Sequence, residues 1–261
     1  MDLVRNDFKS GLVAGRQQIG LWCSLADPFA AELVAGSGFD WLLFDTEHSH
    51  AGVRDVLSQL QAVAPYPVSP VVRPPANDPV AIKRLLDVGA QTLLIPQVNT
   101  AEEARAAVSA TRYPPEGVRG VAGLTRASRF GRIEGYPQRA AEQLCVLVQL
   151  ESAQALDHLD AIIGVEEVDG FFVGPSDLAA SLGHVGNPSH PDVIAAIEDT
   201  ITRVRNAGRP AGVLAADPAL ARRCIELGTT FTAVGIDVGI LARTSEQLAG
   251  QFRSPDDRRG T

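Results

Sequence analysis

Lysine is almost missing from this sequence. Lys9 and Lys83 stand against 21 arginines in 261 residues. Lys9 precedes the first apolar run and Lys83 falls inside an amphipathic stretch, so neither reaches a strand end. An imine-forming enzyme needs an amine beside its substrate, and Schiff-base chemistry is excluded on that ground. Cysteine is scarce as well: Cys23, Cys145 and Cys224 are odd in number, far apart and form no CxxC, so they read as buried reduced thiols. No apolar run approaches the roughly 20 residues of a membrane span, and the opening MDLVRNDFKSGLVAG has no basic-then-apolar leader layout. Excess positive charge is also lacking. The formal net charge is −8 without a basic stripe, a poor basis for nucleic-acid binding. These absences leave a soluble, cytoplasmic protein with neither nucleic acid nor membrane as partner.

What is present is alternation. Eight short apolar runs, IGLWCSL (19–25), FDWLLFD (39–45), PVSPVVR (67–73), TLLIPQV (92–98), CVLVQLE (145–151), VDGFFVG (168–174), PAGVLA (210–215) and FTAVGI (231–236), are each followed by a stretch of helical character. Several of these stretches open on capping pairs, Asp27-Pro28, Asp78-Pro79 and Asp217-Pro218. Continuously apolar strands signal burial on both faces, as a parallel sheet requires. Repeated βα units place the chain in the α/β class. Eight units in a chain near 250 residues predict one (β/α)₈ TIM barrel over 1–253, with a disordered polar tail at 254–261. A doubly wound open sheet is the structural alternative.

Barrel active sites form where the strands end. Strand two ends in Asp45-Thr46-Glu47-His48, strand three in Arg73, strand five in Gln149-Leu150-Glu151, and strand six in Gly174-Pro175-Ser176-Asp177. Each has an ordinary reading alone. Asp177 suits a helix cap, Glu151 and Arg73 a rim ion pair, and His48 a solvated loop. Four strands delivering Asp, Arg, Glu and His to one rim favour chemistry. Two carboxylates without thiolates suit a hard divalent cation. Such an ion can chelate a 2-oxo acid and polarise its keto group. His48 then serves as base and Arg73 as oxyanion donor. His48-Ser49-His50 also spells the HxH of some barrel hydrolases, but those need histidines where Glu151 and Asp177 stand. The loop over 117–137 carries Arg119, Arg126, Arg129 and Arg132, either an anion clamp or an ordered loop or subunit contact. His158, His184 and His190 read as structural.

These residues carry a family likeness. GFDWLLFDTEH (38–48), VVRPPANDPVAIKRLLDVGAQTLLIP (71–96), TRYPPEGVRGV (111–121), CVLVQLES (145–152), VDGFFVGPSDL (168–178) and LGTTFTAVGID (227–237) follow one another in the order and spacing of the HpcH/HpaI aldolases. The chain resembles that family from about Gly20 to Phe252. The resemblance implies a class II aldolase joining pyruvate or hydroxypyruvate to an aldehyde through a metal-stabilised enolate, with Mg²⁺, Mn²⁺ or Co²⁺ on Glu151 and Asp177. His48 matches the base and Arg73 the transition-state stabiliser. Asp45 lies beside His48, and Asp87 matches an aspartate that supports the base of an adjacent subunit. Gln149 and the Gly174-Pro175-Ser176-Asp177 turn match substrate contacts, Ser176 through its backbone. Leu214 matches a residue shaping the aldehyde pocket. A homo-hexamer is implied. Related barrels that cleave malyl- or citramalyl-type CoA esters, and a non-catalytic barrel, are the rival readings. Thr46, Ser49, His50 and Ser176 depart from the family's usual residues, which leaves acceptor specificity open.

Overall fold

A computed structural model describes residues 1–252. The expected tail at 254–261, and residue 253 of the expected domain, lie outside the described residues. Eight parallel strands close into a barrel in chain order: β1 Gln18–Cys23, β2 Trp41–Asp45, β3 Ser69–Arg73, β4 Thr92–Ile95, β5 Cys145–Leu150, β6 Gly170–Val173, β7 Ala211–Leu214 and β8 Phe231–Ile236. β8 pairs with β1, which leaves no open edge and removes the doubly wound alternative.

Strand side chains alternate between two faces. One face meets the surrounding helices in a large cluster that includes Leu42, Phe44, Val72, Val146 and Val148. The other lines the barrel axis, with Trp41, Leu43, Val71, Cys145, Leu147, Phe172 and Phe231. Followed upward, the inner columns change character. Trp41 and Leu43 lead to Asp45, Val71 leads to Arg73, and Cys145 and Leu147 lead to Gln149 and then Glu151. The period of two that buries the core therefore also aims polar groups into the barrel mouth.

The lower end is plugged by a helix that the sequence reading did not assign, Asp7–Val13, capped by Asn6. Its Phe8 is fully buried. The ring meets Trp41 at 5.8 Å and Phe231 at 5.7 Å, edge to face in both cases. Gly20 makes room for this cluster, since a Cβ there would stand 2.1 Å from the Trp41 ring. Two more details differ from the sequence reading. A helix, Tyr136–Gln143, follows the expected loop. The helical stretch expected after CVLVQLE is two helices, Ala153–Asp157 and Leu159–Ile163, because His158 leaves helical geometry with its Nδ1 3.0 Å from the Asn99 carbonyl. Among the described residues, no helix is long and apolar enough to cross a membrane.

Candidate active site

Register places Asp45 beside Arg73 at the ends of β2 and β3. Arg73 donates from Nε to Asp45 Oδ1 at 2.9 Å and from Nη2 to Oδ2 at 2.7 Å. This is the bidentate fork that guanidinium and carboxylate geometry favour. Nη1 lies 2.7 Å from Glu47 Oε2, a close contact of opposite charges rather than an aligned hydrogen bond, so that oxygen keeps no hydrogen-bond donor. The guanidinium carbon stands 4.8 Å over the Trp22 ring, and the Trp22 indole donates to Asp45 Oδ2 at 3.2 Å. Arg73 is thus held from three sides and is only 4% exposed.

Asp45 was expected beside the His48 base. The structure seats its carboxylate on Arg73 instead. It meets His48 only by accepting that residue's backbone N–H, at 3.4 Å, alongside the Glu47 N–H at 3.0 Å. The exposed His48 ring faces two other carboxylates, with Nε2 3.9 Å from both Glu47 Oε2 and Asp177 Oδ2.

Glu151 stands just beyond β5 and is 2% exposed. Its Oε1 accepts the Gln97 N–H at 2.8 Å, and its Oε2 accepts from the Gln149 amide. Gln97 adopts a φ of 55°, in the left-handed region, to aim that N–H. Gly174 leaves the space these groups fill, because a Cβ there would lie 2.4 Å from Glu151 Oε2 and 2.6 Å from Gln149 Nε2. Pro175, Ser176 and Asp177 open the helix Pro175–Ser181 on the same rim. Leu214 ends β7, half-buried.

Four carboxylates, Asp45, Glu47, Glu151 and Asp177, face one arginine here. Burial first, with Asp177 and Glu47 adding to it against the Gln97 N–H and Arg73, pushes the Glu151 carboxyl up to about 7 in all. Glu47 is raised as well, by burial first and then by Asp45 and Asp177, against Arg73 and His48. Burial alone would also raise Asp45, but Arg73 and the Glu47 and Trp22 donors hold it below the usual carboxylate range. A rim with surplus negative charge, buried oxygens without donors at Glu47 Oε2 and Gln149 Oε1, and ligands that are all oxygen fits a hard divalent cation.

Other sequence candidates lie elsewhere in the protomer. Asp87 ends the helix Pro79–Asp87 at the lower face, where it pairs with the fully buried Arg119 at 2.8 Å. Arg126 donates to the Val88 carbonyl and Arg132 to that of Arg129, so these loop arginines tie down their own surroundings rather than reach the rim. His50 is exposed. The positions where a barrel hydrolase of the HxH kind needs further histidines hold Glu151 and Asp177, which leaves that reading without its ligand set. Cavities of about 300 and 400 Å³ open at the lower end and contain no rim residue. The sequence reading did not pick out Glu47, Trp22 or Gln97. Inward alternation along β1 could have shown Trp22, and Glu47 lay inside the quoted DTEH motif. Gln97 acts through its backbone, which composition does not reveal.

Fold and rim together define a (β/α)₈-barrel protein with an acidic, cation-suited mouth built around one clamped arginine. The chain belongs to the HpcH/HpaI aldolase/citrate lyase family, whose model matches residues 18–244. It is 61% identical to a pyruvate aldolase of Rhizobium etli over 97% of this chain and 99% of that one. It is 57% identical to a 4-hydroxy-2-oxo-heptane-1,7-dioate aldolase of Shigella sonnei over 95% of each. A solved structure of an HpcH/HpaI aldolase/citrate lyase family protein from Burkholderia cenocepacia J2315 superposes with a TM-score of 0.91 at 44% identity, covering 95% of this chain and all of that one.

Proposed function

We propose that the protein is a divalent-cation-dependent aldolase that reversibly joins a pyruvate-type 2-oxo acid, pyruvate or hydroxypyruvate, to an aldehyde. The observation that carries this reading is the rim itself, where buried Glu151 shares the barrel mouth with Glu47, Asp177 and His48 around the clamped Arg73. Glu151 and Asp177 are the residues that would hold Mg²⁺, Mn²⁺ or Co²⁺. Such an ion supplies Lewis acidity to the substrate's keto oxygen and carboxylate.

The chain's own groups divide the remaining work. Asp45 takes two of the five N–H donors of Arg73 in hydrogen bonds, and Glu47 holds Nη1 by charge alone. Donors on Nη1 and Nη2 remain for the oxygen on which negative charge develops, and because Arg73 is already clamped, little reorganisation is needed. Asp45 is then a positioning residue for Arg73. His48 takes the C3 proton of the 2-oxo acid in synthesis and the 4-hydroxyl proton in cleavage, holding it at Nε2 between Glu47 and Asp177. Gln149, Gly174, Pro175 and Ser176 border the donor substrate, and Leu214 the aldehyde. Asp87 serves a neighbouring protomer's His48 in a homo-hexamer, and the enzyme works in the cytoplasm.

The test is NMR of pyruvate and of hydroxypyruvate in D₂O, with and without EDTA, followed by an aldehyde panel. Deuterium should enter C3 only with a divalent cation present and should fail to enter with His48→Ala. Exchange that survives EDTA or Glu151→Ala would overturn the proposal.

A further inference from the structure

Two histidines and an aspartate meet where the loop after the helix Pro175–Ser181 enters the first turn of the helix Pro191–Asn206. The rings of His184 and His190 stack, with centroids 3.6 Å apart and planes 14° apart. Asp192 Oδ2 lies 3.2 Å from His184 Nε2 and 3.5 Å from His190 Nδ1. The three ligand atoms fall within 4.8 Å of one another. The main chain enforces this approach. The His184 N–H donates to the Ala179 carbonyl at 2.7 Å, the Asn187 N–H to that of His184 at 2.9 Å, and the His190 N–H to that of Asn187 at 3.1 Å. The imidazoles are a quarter and a third exposed, at 25% and 33%, which leaves an open side for water.

We propose that His184, His190 and Asp192 form a second cation site, separate from the rim and suited to Zn²⁺ or a similar imidazole-seeking transition ion. Zinc bonds to imidazole nitrogen and carboxylate oxygen run about 2.0–2.2 Å. Donor atoms around a tetrahedral ion of that size stand about 3.2–3.6 Å apart, and the two carboxylate–imidazole separations here already do. The donor chemistry also differs from that of the rim. Two imidazoles with one carboxylate favour zinc, nickel or copper, whereas an all-oxygen set favours magnesium or manganese. Binding requires two local changes. Imidazole lone pairs lie in the ring plane, so the stacked rings must turn away from parallel before both nitrogens face one ion. His190 Nδ1 accepts the Asp192 N–H at 3.3 Å as the cap of its helix, and an ion there would release that N–H to solvent.

The ordinary reading is that the trio only caps the helix and hydrogen-bonds within itself. The experiment separates the two and does not depend on the aldolase proposal. EDTA-treated, tag-free Glu151→Gln protein, with its rim ligand disabled, is dialysed against micromolar Zn²⁺ in excess Mg²⁺. Bound zinc per chain is then counted by mass spectrometry. Adding His184→Gln or His190→Asn should remove one zinc per chain; Asn at 190 keeps an acceptor for the helix cap. In the wild-type protein, imidazole ¹H–¹⁵N signals of both histidines should move with Zn²⁺ and stay fixed with Mg²⁺. Unchanged zinc stoichiometry in folded His184→Gln and His190→Asn variants, or imidazole signals indifferent to Zn²⁺, would overturn the second site. Failure of the rim reading would show instead as metal-independent C3 exchange, with this zinc count unaffected.

Discussion

The two ends of the barrel answer opposite demands with the same construction. At the lower end the inner columns begin on Trp41 and Phe231, and Phe8 closes them from below. The plug formed by Phe8, Trp41 and Phe231 carries no charge, and buried aromatic area does the stabilising. At the upper end the same columns finish on Asp45, Arg73, Gln149 and Glu151, all buried. That end is electrostatically costly: Glu151 is displaced to about 7 and Glu47 is raised. The comparison teaches that in this barrel stability is concentrated below and gives way to function above. Conflict between local preference and environment is what a functional site looks like.

The largest effect that tests this division is at the lower end. Phe8→Ala empties a fully buried site between Trp41 and Phe231 and should cost about 3–5 kcal/mol of unfolding free energy. Denaturant titration measures this, and turnover per folded molecule should be unchanged. A matching loss of turnover would mean that the two ends are not separable. At the upper end the order reverses. Arg73→Lys keeps a charge but loses the fork to Asp45, and kcat should fall about 10²–10³-fold. Full activity in Arg73→Lys would show that the clamp geometry is incidental. Gly174→Ala is milder. Its Cβ must push aside Glu151 Oε2 or Gln149 Nε2, and overpacking of this kind costs about 1–3 kcal/mol. Calorimetry should read that cost mainly as weaker divalent-cation binding, roughly tenfold or more.

The lower end and the upper end also differed in how far the sequence disclosed them. Strand existence was plain, because parallel strands buried on both faces are continuously apolar, and the rim carboxylates stood at their ends. The plug was not. Asp7–Val13 is a short helix with little periodicity, and only tertiary packing on Trp41 reveals the purpose of Phe8. At the rim, residue types pointed to His48, Arg73, Glu151 and Asp177, but not to their partners. Asp45 precedes His48 by three residues, which suggested a dyad. Strand register pairs it with Arg73 instead, 28 residues on, and register is set by neighbouring strands rather than by local sequence. Gln97 was hidden for a different reason: what it contributes is a backbone N–H at an unusual φ.

The smallest expected effect concerns pH, and it isolates Glu151. Its folded-state pKa, about 7, lies above its ordinary value of 4.5. The cation-free native protein therefore holds a proton that the unfolded chain has lost between those values. Unfolding free energy should fall as pH rises from about 4.5 to about 7 and then level off, by an amount on the order of a few kcal/mol at most. Asp45 is displaced the opposite way. Its contribution is present above its unfolded value and is lost only as pH falls through its lowered folded one, so the two windows do not overlap. A divalent cation needs Glu151 ionised and competes with that proton. Apparent cation affinity should climb as pH rises toward 7, by up to about tenfold per unit, and flatten above it. Mn²⁺ titrations at pH 5.5, 6.5 and 8 on wild-type and Glu151→Gln protein read this directly. A wild-type affinity that is the same at all three values would place the displaced proton elsewhere, and the upper end would lose the feature that most sets it apart from the lower.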